Sequence, residues 1–254
     1  MNDVVTIAVV SNEKYLKHLY NLLRSLELNK NIISISICLL NIKKKQLVSK
    51  KLNSIYSNVY IDFVEYEDSF SPNETKALAA NHRVIFINQL LKKHFKTIFY
   101  LDCDSIVRAN LKEHLNELAA SDISIIFRHN HDERSKVATG AILFQNNSNT
   151  KEFLRRWVEK IQPIKNYWFA DQITFYETYL ETKHFIDFKN LRAEMNDWSF
   201  NDKSMIWAGK GNRKRQNLIY LLEQIKNKST HTLIKNFIYK AQNILRDINL
   251  YKET

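Results

Sequence analysis

The chain has 254 residues, of which 44% are hydrophobic and 12% aromatic, enough to bury a core and too many for a disordered chain. Its formal charge of +11 predicts an anionic partner, namely nucleic acid, a membrane surface or a phosphate-bearing ligand. No signal peptide or membrane-spanning run is visible, and two cysteines give no disulfide framework, so we expect a cytoplasmic protein, either free or attached peripherally to the inner face of the membrane.

Strands and helices alternate along the first hundred residues. The apolar run 4–10 predicts a strand covered on both faces, and 15–28 predicts a helix because leucines recur at helical spacing. Four such alternations predict right-handed crossovers and a mostly parallel sheet. The remaining predicted elements here are strands at 32–40, 59–64 and from Thr97, and helices at 46–55 and 76–94.

The second half continues the α/β pattern and then becomes helical. Predicted helices lie at 111–119, 151–161 and 171–180, with Asp171 as a cap, and predicted strands at 123–127, 141–144 and 184–188. Residues 193–211 are predicted as loop. We therefore predict an α/β fold in two parts, a catalytic domain at 1–212 and a basic amphipathic helical tail at 213–254.

The C-terminal end of the chain carries most of the net positive charge. Residues 210–254 contain ten Lys or Arg and three Asp or Glu. Its apolar stripes allow two interpretations, helices that pack on the body or a basic helix that lies on an anionic membrane.

Two acids, Asp102 and Asp104, follow the apolar strand that begins at Thr97. If the extended geometry persists, side chains two residues apart point the same way, and two carboxylates at one focus repel unless a cation separates them. Mn²⁺ or Mg²⁺, completed by substrate phosphates, is the usual solution. Turn formation is the simpler explanation of such acids. Ser11 and Asn12 also follow a strand, and ligands bind at the carboxyl ends of such strands, which favours a site.

Only three glycines occur, at positions 140, 209 and 211. A residue used so sparingly is expected at positive φ, against a ligand or in a turn. No Gly-rich phosphate loop follows the first strand, so a metal would have to neutralise bound phosphates.

Taken in order, these segments resemble the bacterial family 8 glycosyltransferases of the GT-A fold, over roughly residues 4–212. The segment 100–107 around the two acids matches best, and 9–15 resembles the family's base-reading strand and loop. Residues 81–84 are similar to the helix with a donor-binding arginine, and 138–141 to an Asn-Ala-Gly turn. Residues 206–214 stand where the family has His-x-x-Gly-x-x-Lys. Ile206 replaces that histidine, so the third metal ligand is either missing or supplied by His129 or His131.

The resemblance implies a metal-dependent hexosyltransferase. It would move a hexose from a nucleotide-diphospho-sugar, UDP-linked, to a glycan or glycolipid acceptor in cell-surface polysaccharide synthesis, with retention of anomeric configuration. Asp171 and Gln172 are the implied catalytic residues beside the sugar, and Asp102 and Asp104 the implied ligands of Mn²⁺ or Mg²⁺. Lys210, Arg213 and Lys214 would assist departure of the diphosphate. The implied donor-binding residues are Val10, Ser11, Asn12, Tyr15, Arg83, Asp102, Cys103, Gly140, Gly209, Lys210, Gly211 and Lys214.

Three other functions remain open from sequence. A sugar-phosphate nucleotidyltransferase also uses metal-binding carboxylates, but it normally has a Gly-rich basic signature after the first strand. A nucleic-acid-binding protein would explain the charge, yet the basic residues cluster at the end of the chain, so nucleic acid is not the expected partner. The missing third ligand also leaves open a non-catalytic, lectin-like protein.

Overall fold

A seven-stranded sheet forms the centre of the computed structural model, which describes residues 5–66, 72–93, 95–128, 130–228 and 232–250. The strand order is β3-β2-β1-β4-β7-β6-β8, and β7 alone in this sheet runs antiparallel to its neighbours. The predicted mostly parallel α/β sheet is confirmed. The strands are β1 (Thr6–Asn12), β2 (Ser34–Leu40), β3 (Val59–Val64), β4 (Thr97–Leu101), β5 (Ser105–Val107), β6 (Ile123–Phe127), β7 (Val137–Gln145), β8 (Phe188–Asn190) and β9 (Ile206–Ala208).

Helices cover both faces of the sheet because alternate strand residues point to opposite sides. In β1, Ile7 and Val9 join one buried apolar cluster, while Ala8 and Val10 join the cluster on the other face. None of the helices in the described ranges combines the length and apolar character needed to cross a bilayer. The helices are α1 (Leu16–Leu28), α2 (Lys45–Ile55), α3 (Pro72–Lys92), α4 (Lys112–Leu118), α5 (Ser148–Ile161), α6 (Ala170–Thr182), α7 (Arg213–Gln216), α8 (Leu218–Lys228) and α9 (Thr232–Leu250).

The strand predicted at 184–188 is wrong except at its last residue. Helix α6 continues to Thr182, whose hydroxyl donates to the carbonyl of Thr178 in the preceding turn at 2.7 Å. The chain then turns, and β8 begins at Phe188. The loop predicted at 193–211 contains β9, which pairs antiparallel with β5 in a two-stranded sheet. Both strands have three residues, too few to show periodicity in the sequence.

The C-terminal helices pack on the body. Ile219 and Tyr220 of α8 are buried in a small apolar cluster with Ile106, Phe200 and Trp207. Helix α9 contacts α8 through Gln242, whose amide nitrogen donates to the carbonyl of Ile219 at 3.1 Å. Of the two interpretations of the tail, packing on the body is therefore the one that holds for α8. The domain boundary at 212 stays a prediction.

Candidate active site

A cleft of about 800 Å³ opens at the carboxyl ends of β1 and β4. The chain passes from β1 to β2 and β3 on one side and returns to β4 on the other side of β1, so this is the switch point where open α/β sheets bind ligands. The implied donor-binding residues, the two implied metal-binding acids and the implied catalytic pair all line this cleft except Gly209.

The segment after β4 is a turn, not an extended strand. The amide of Ser105 donates to the carbonyl of Asp102 at 3.0 Å, so the alternation expected for Asp102 and Asp104 does not apply. Both side chains nevertheless line the cleft. The Asp102 carboxylate accepts a hydrogen bond from the hydroxyl of Tyr100 at 3.1 Å and pairs with Arg83 at 3.0 Å.

Gly140 lies inside β7, not in the turn expected from the resemblance. Its carbonyl accepts a hydrogen bond from the amide of Asp102 at 2.9 Å. A Cβ at this position would stand 2.9 Å from Oδ2 of Asp102 and 3.4 Å from the Asn196 amide. Because Gly140 has no side chain, the Asp102 carboxylate has room to occupy this position.

Arg83 of α3 is a buried cation that connects the parts of the site. Its Nη1 lies 3.0 Å from Oδ1 of Asp102 and donates to the carbonyl of Thr139 at 2.7 Å, and its Nε lies 3.6 Å from Oδ2 of Asp171. Burial opposes its charge, but the carboxylates of Asp102 and Asp171 raise the pKa of Arg83 above its usual range. The guanidinium thus stays charged and holds the two acids at the cleft.

Asp171 lies in the first turn of α6 and does not cap it, contrary to the prediction. The cap position is Phe169, in the left-handed conformation with φ 70°. The Asp171 amide donates to Oδ1 of Asn81 at 3.2 Å, and Oδ2 accepts from the hydroxyl of Thr139 at 2.5 Å. These contacts fix the buried carboxylate and place Gln172 beside it on the cleft.

Asp104 is held by Lys214 of α7, whose Nζ donates to Oδ2 at 2.5 Å. Burial raises the pKa of Asp104. Burial opposes the charge on Lys214, yet the Asp104 carboxylate outweighs this effect and raises the pKa of the lysine. Behind the acid, the Tyr220 hydroxyl donates to the Asp104 carbonyl. Gly209 lies there too, with Tyr220 Oη 2.6 Å from where its Cβ would be, so we correct its assignment to the donor surface.

The end of β1 contributes the opposite wall. Oδ1 of Asn12 accepts from the amide of Tyr15 at 3.3 Å, which starts the turn that leads into α1. Ser11 and Cys103 are buried beneath, and burial raises the pKa of the Cys103 thiol above its usual range. The Tyr15 ring lies under Lys214 Nζ at 4.4 Å.

Several residues that line the cleft were not predicted from the sequence. Trp198 carries the guanidinium of Arg128 at 4.1 Å and Nζ of Lys210 at 5.0 Å from its ring centroid. Trp168, 57% exposed, also lines the cleft. The aromatic run that precedes Asp171 could have indicated this wall.

Comparison with known proteins identifies the family. The family model described as nucleotide-diphospho-sugar transferase matches residues 43–202, a range that includes Arg83, both acids after β4, and Asp171. The chain belongs to that family. A search of curated proteins gives no match.

Solved glycosyltransferases share the fold of this nucleotide-diphospho-sugar transferase at low identity. GlyE of Streptococcus pneumoniae TIGR4 has a TM-score of 0.62 at 13% identity, covering 93% of this chain and 63% of GlyE. The bifunctional WbbM has a TM-score of 0.65 at 16% identity, covering 95% and 52%. LgtC, solved with donor and acceptor sugar analogs, has a TM-score of 0.57 at 13% identity, covering 91% and 99%. The chain spans less than two thirds of GlyE and about half of WbbM, and the likeness to these structures confirms the predicted GT-A fold.

Within the described part of the chain, the protein does not supply a complete set of ligands for a divalent cation by itself. Among the residues that the structure describes, no three His, Cys, Asp or Glu side chains come together as a metal site. Ile206 is buried in β9, and His131 is exposed and does not line the cleft. His129 lies outside the described residues. The two acids are instead paired with Arg83 and Lys214.

The cleft of the transferase is positively charged. Seven cationic side chains and three carboxylates line it within the described part of the chain, a formal surplus of four. Such a surplus suits a ligand with two phosphates. The carboxylates are Asp102, Asp104 and Asp171, and the cations are Lys14, Lys76, Arg83, Arg128, Lys210, Lys214 and Arg215.

His82, next to Arg83 in α3, is expected to make the stability of the transferase sensitive to acid. Its Nδ1 pairs with the Tyr66 hydroxyl, and burial lowers its pKa from 6.5 to about 4. The neutral ring therefore stabilises the fold above pH 6.5, and this stability is lost as the pH falls toward 4. We expect the free energy of unfolding to lose about 2 kcal/mol through this group between pH 7.5 and pH 5.

Urea unfolding at several pH values checks this prediction. His82→Gln should show a smaller loss between pH 7.5 and pH 5 than the wild type. His184→Gln, at an exposed histidine, should follow the wild type. Parallel pH curves for wild type and His82→Gln would contradict it.

Proposed function

We propose that this chain transfers a hexose from a nucleotide-diphospho-sugar, UDP-linked, to a hydroxyl of a glycan or glycolipid. The observation that supports this most is the convergence on one cleft of Asp102 and Asp104, the buried Arg83 and the Asp171–Gln172 pair. Family membership supports the nucleotide sugar as the donor class.

The donor would lie across the switch point. Asn12 and Tyr15 at the end of β1 would contact the base, and Lys210 and Lys214 the diphosphate. In the reaction, the bond between the anomeric carbon and the diphosphate oxygen breaks, and its electron pair stays on the diphosphate. The acceptor oxygen bonds to the anomeric carbon, and its proton passes to the departing diphosphate. Fixed cations stabilise the charge that develops on the leaving group.

Asp171 and Gln172 would face the transferred sugar. Asp171 is oriented by Thr139, Asn81 and Arg83, so its carboxylate needs no rearrangement to act on the developing positive charge at the anomeric carbon. Retention of configuration is part of the proposal, with this pair on the face opposite the diphosphate.

The acceptor would enter beside the exposed Trp168, since aromatic faces suit the apolar face of a sugar ring. A role in cell-surface polysaccharide synthesis and contact of the tail with an anionic membrane stay predictions. For the latter, α9 exposes Phe237 and Ile244 and carries Lys235 and Lys240. Binding of Mn²⁺ or Mg²⁺ also stays a prediction, and none of the steps above uses it.

A donor panel tests the proposal. UDP-glucose, UDP-galactose, GDP-mannose and dTDP-glucose are incubated with the purified chain, with Mn²⁺ and separately with EDTA, and slow release of the nucleoside diphosphate is measured. We expect one nucleotide class to be hydrolysed in at least one condition, and Asp102→Asn to reduce the rate by about 100-fold or more. Equal rates in wild type and Asp102→Asn would contradict the proposal, as would a panel without any turnover.

A further inference from the structure

Lys214 is a buried cation in the lining of the cleft. Its side chain is 8% exposed, and Nζ donates to Oδ2 of Asp104 at 2.5 Å and to the hydroxyl of Tyr15 at 3.3 Å. The Tyr15 ring lies 4.4 Å below the ammonium. Two oxygens and an aromatic face thus contact this cation. These contacts stabilise its positive charge in a buried position.

The other acid has its own cation. Arg83 of α3 lies 3.0 Å from the Asp102 carboxylate and 3.6 Å from that of Asp171. Each of the two carboxylates that would share a metal is therefore neutralised by a separate buried side chain. A divalent ion between them would have to displace Lys214 and leave its ammonium unpaired in a buried place, which is costly.

The backbone behind Asp104 holds this arrangement. The Tyr220 hydroxyl donates to the carbonyl of Asp104, and Gly209 lets both approach because its missing Cβ would stand 2.7 Å from that carbonyl oxygen. Tyr220 belongs to α8 and Lys214 to α7, so the first part of the C-terminal region both positions the acid and supplies its counter-ion. This fits the burial of Ile206 at the place where the resemblance expects a metal-binding histidine.

We infer that Lys214, with Arg83, takes the place of the divalent cation, so that the nucleotide diphosphate binds to this chain without metal. The inference rests on the proposed function, because it names how the same site neutralises its donor. The Lys214 ammonium lines the cleft together with Lys210 and Arg215, and the formal cationic surplus of four in this lining exceeds the two negative charges of the diphosphate in a nucleotide sugar.

Two measurements on the wild-type chain test this without any substitution. After treatment with EDTA, binding of UDP, GDP and dTDP is measured by titration calorimetry in EDTA and then in Mn²⁺. We expect the affinity of the preferred nucleotide to differ by less than about threefold between the two conditions. Binding of Mn²⁺ alone, followed by electron paramagnetic resonance, should show no site that Asp104→Asn abolishes.

The variant Lys214→Met then tests whether Lys214 contributes its positive charge to nucleotide binding or only supports the structure. It should weaken nucleotide binding in EDTA by about tenfold or more, and Mn²⁺ should restore much of that loss because Asp104 is now free to bind it. The matched control is Lys160→Met, which removes a lysine paired with Glu181 at 2.8 Å outside the cleft and should bind like the wild type.

The outcomes are distinguishable. Nucleotide binding by the wild type only in the presence of Mn²⁺ overturns the inference and leaves the proposed function standing. A wild-type Mn²⁺ site that Asp104→Asn abolishes does the same. If no nucleotide binds in either condition, the proposed function itself is wrong, and the inference with it.

Discussion

Arg83→Met is expected to lower the free energy of unfolding by about 3 kcal/mol, because it leaves the buried Asp171 and the partly exposed Asp102 without their cation. Arg83 also donates to the carbonyls of Ala80 at 2.6 Å and Thr139 at 2.7 Å, and methionine leaves both without that donor. Donor turnover should fall to background, since both acids lose their positions. Urea unfolding followed by circular dichroism, and the donor hydrolysis assay, measure the two effects.

A matched substitution at an exposed arginine tests whether the effect of Arg83→Met depends on the buried position of Arg83. Arg155 on α5 also pairs with two carboxylates, those of Glu152 at 2.7 Å and Glu159 at 2.6 Å, but its side chain is 54% exposed. Because water screens exposed ion pairs, Arg155→Met should leave unfolding and turnover nearly unchanged. Arg83→Lys should lie between the two, since an ammonium lacks the planar fork that reaches several partners. Equal effects of Arg83→Met and Arg155→Met would contradict the assigned role.

The placement of the two acids was predictable, but their partners were not. An apolar run that ends in Asp102 and Asp104 marks the end of a buried strand, and the alternation before it places that end at the ligand-binding edge. Which cation pairs with each acid depends on how α3 and α7 pack. The sequence indicated Lys210, Arg213 and Lys214 alike as cations for the diphosphate, and only the structure pairs Lys214 with Asp104.

Long-range packing explains the other differences. Gly209 was assigned to the donor surface because it matches a motif glycine, whereas its neighbour Tyr220 comes from a helix assigned to the tail. Strands β5 and β9 have three residues each and form by pairing with each other, so no local sequence pattern predicts them. Gly140 was expected in a turn, but the nearby Asp102 carboxylate excludes a side chain there.

Gly209→Ala should be strongly destabilising and should also weaken nucleotide binding. The added Cβ would stand 2.6 Å from the Tyr220 hydroxyl oxygen and 2.7 Å from the Asp104 carbonyl oxygen, both closer than carbon and oxygen can approach. Since the carbonyl belongs to the backbone, the segment has to move, and overpacking of this kind costs about 3 kcal/mol. The same movement displaces Asp104 from Lys214. Urea unfolding and nucleotide titration measure the two effects.

Gly211→Ala is the control that distinguishes the steric cost of an added Cβ from the cost of alanine in the left-handed backbone conformation. Gly211 has φ 60° and no atom within 4 Å of its hypothetical Cβ, so alanine there meets only the cost of the left-handed region, about 1 kcal/mol. In a Tyr220→Phe background the hydroxyl is gone, and Gly209→Ala should cost about 1 kcal/mol less than in the wild type, while the collision with the Asp104 carbonyl remains. Additive effects of the two substitutions would mean that Tyr220 does not press on residue 209. A cost at Gly209 no greater than that at Gly211 would mean that α8 does not hold the backbone of Asp104.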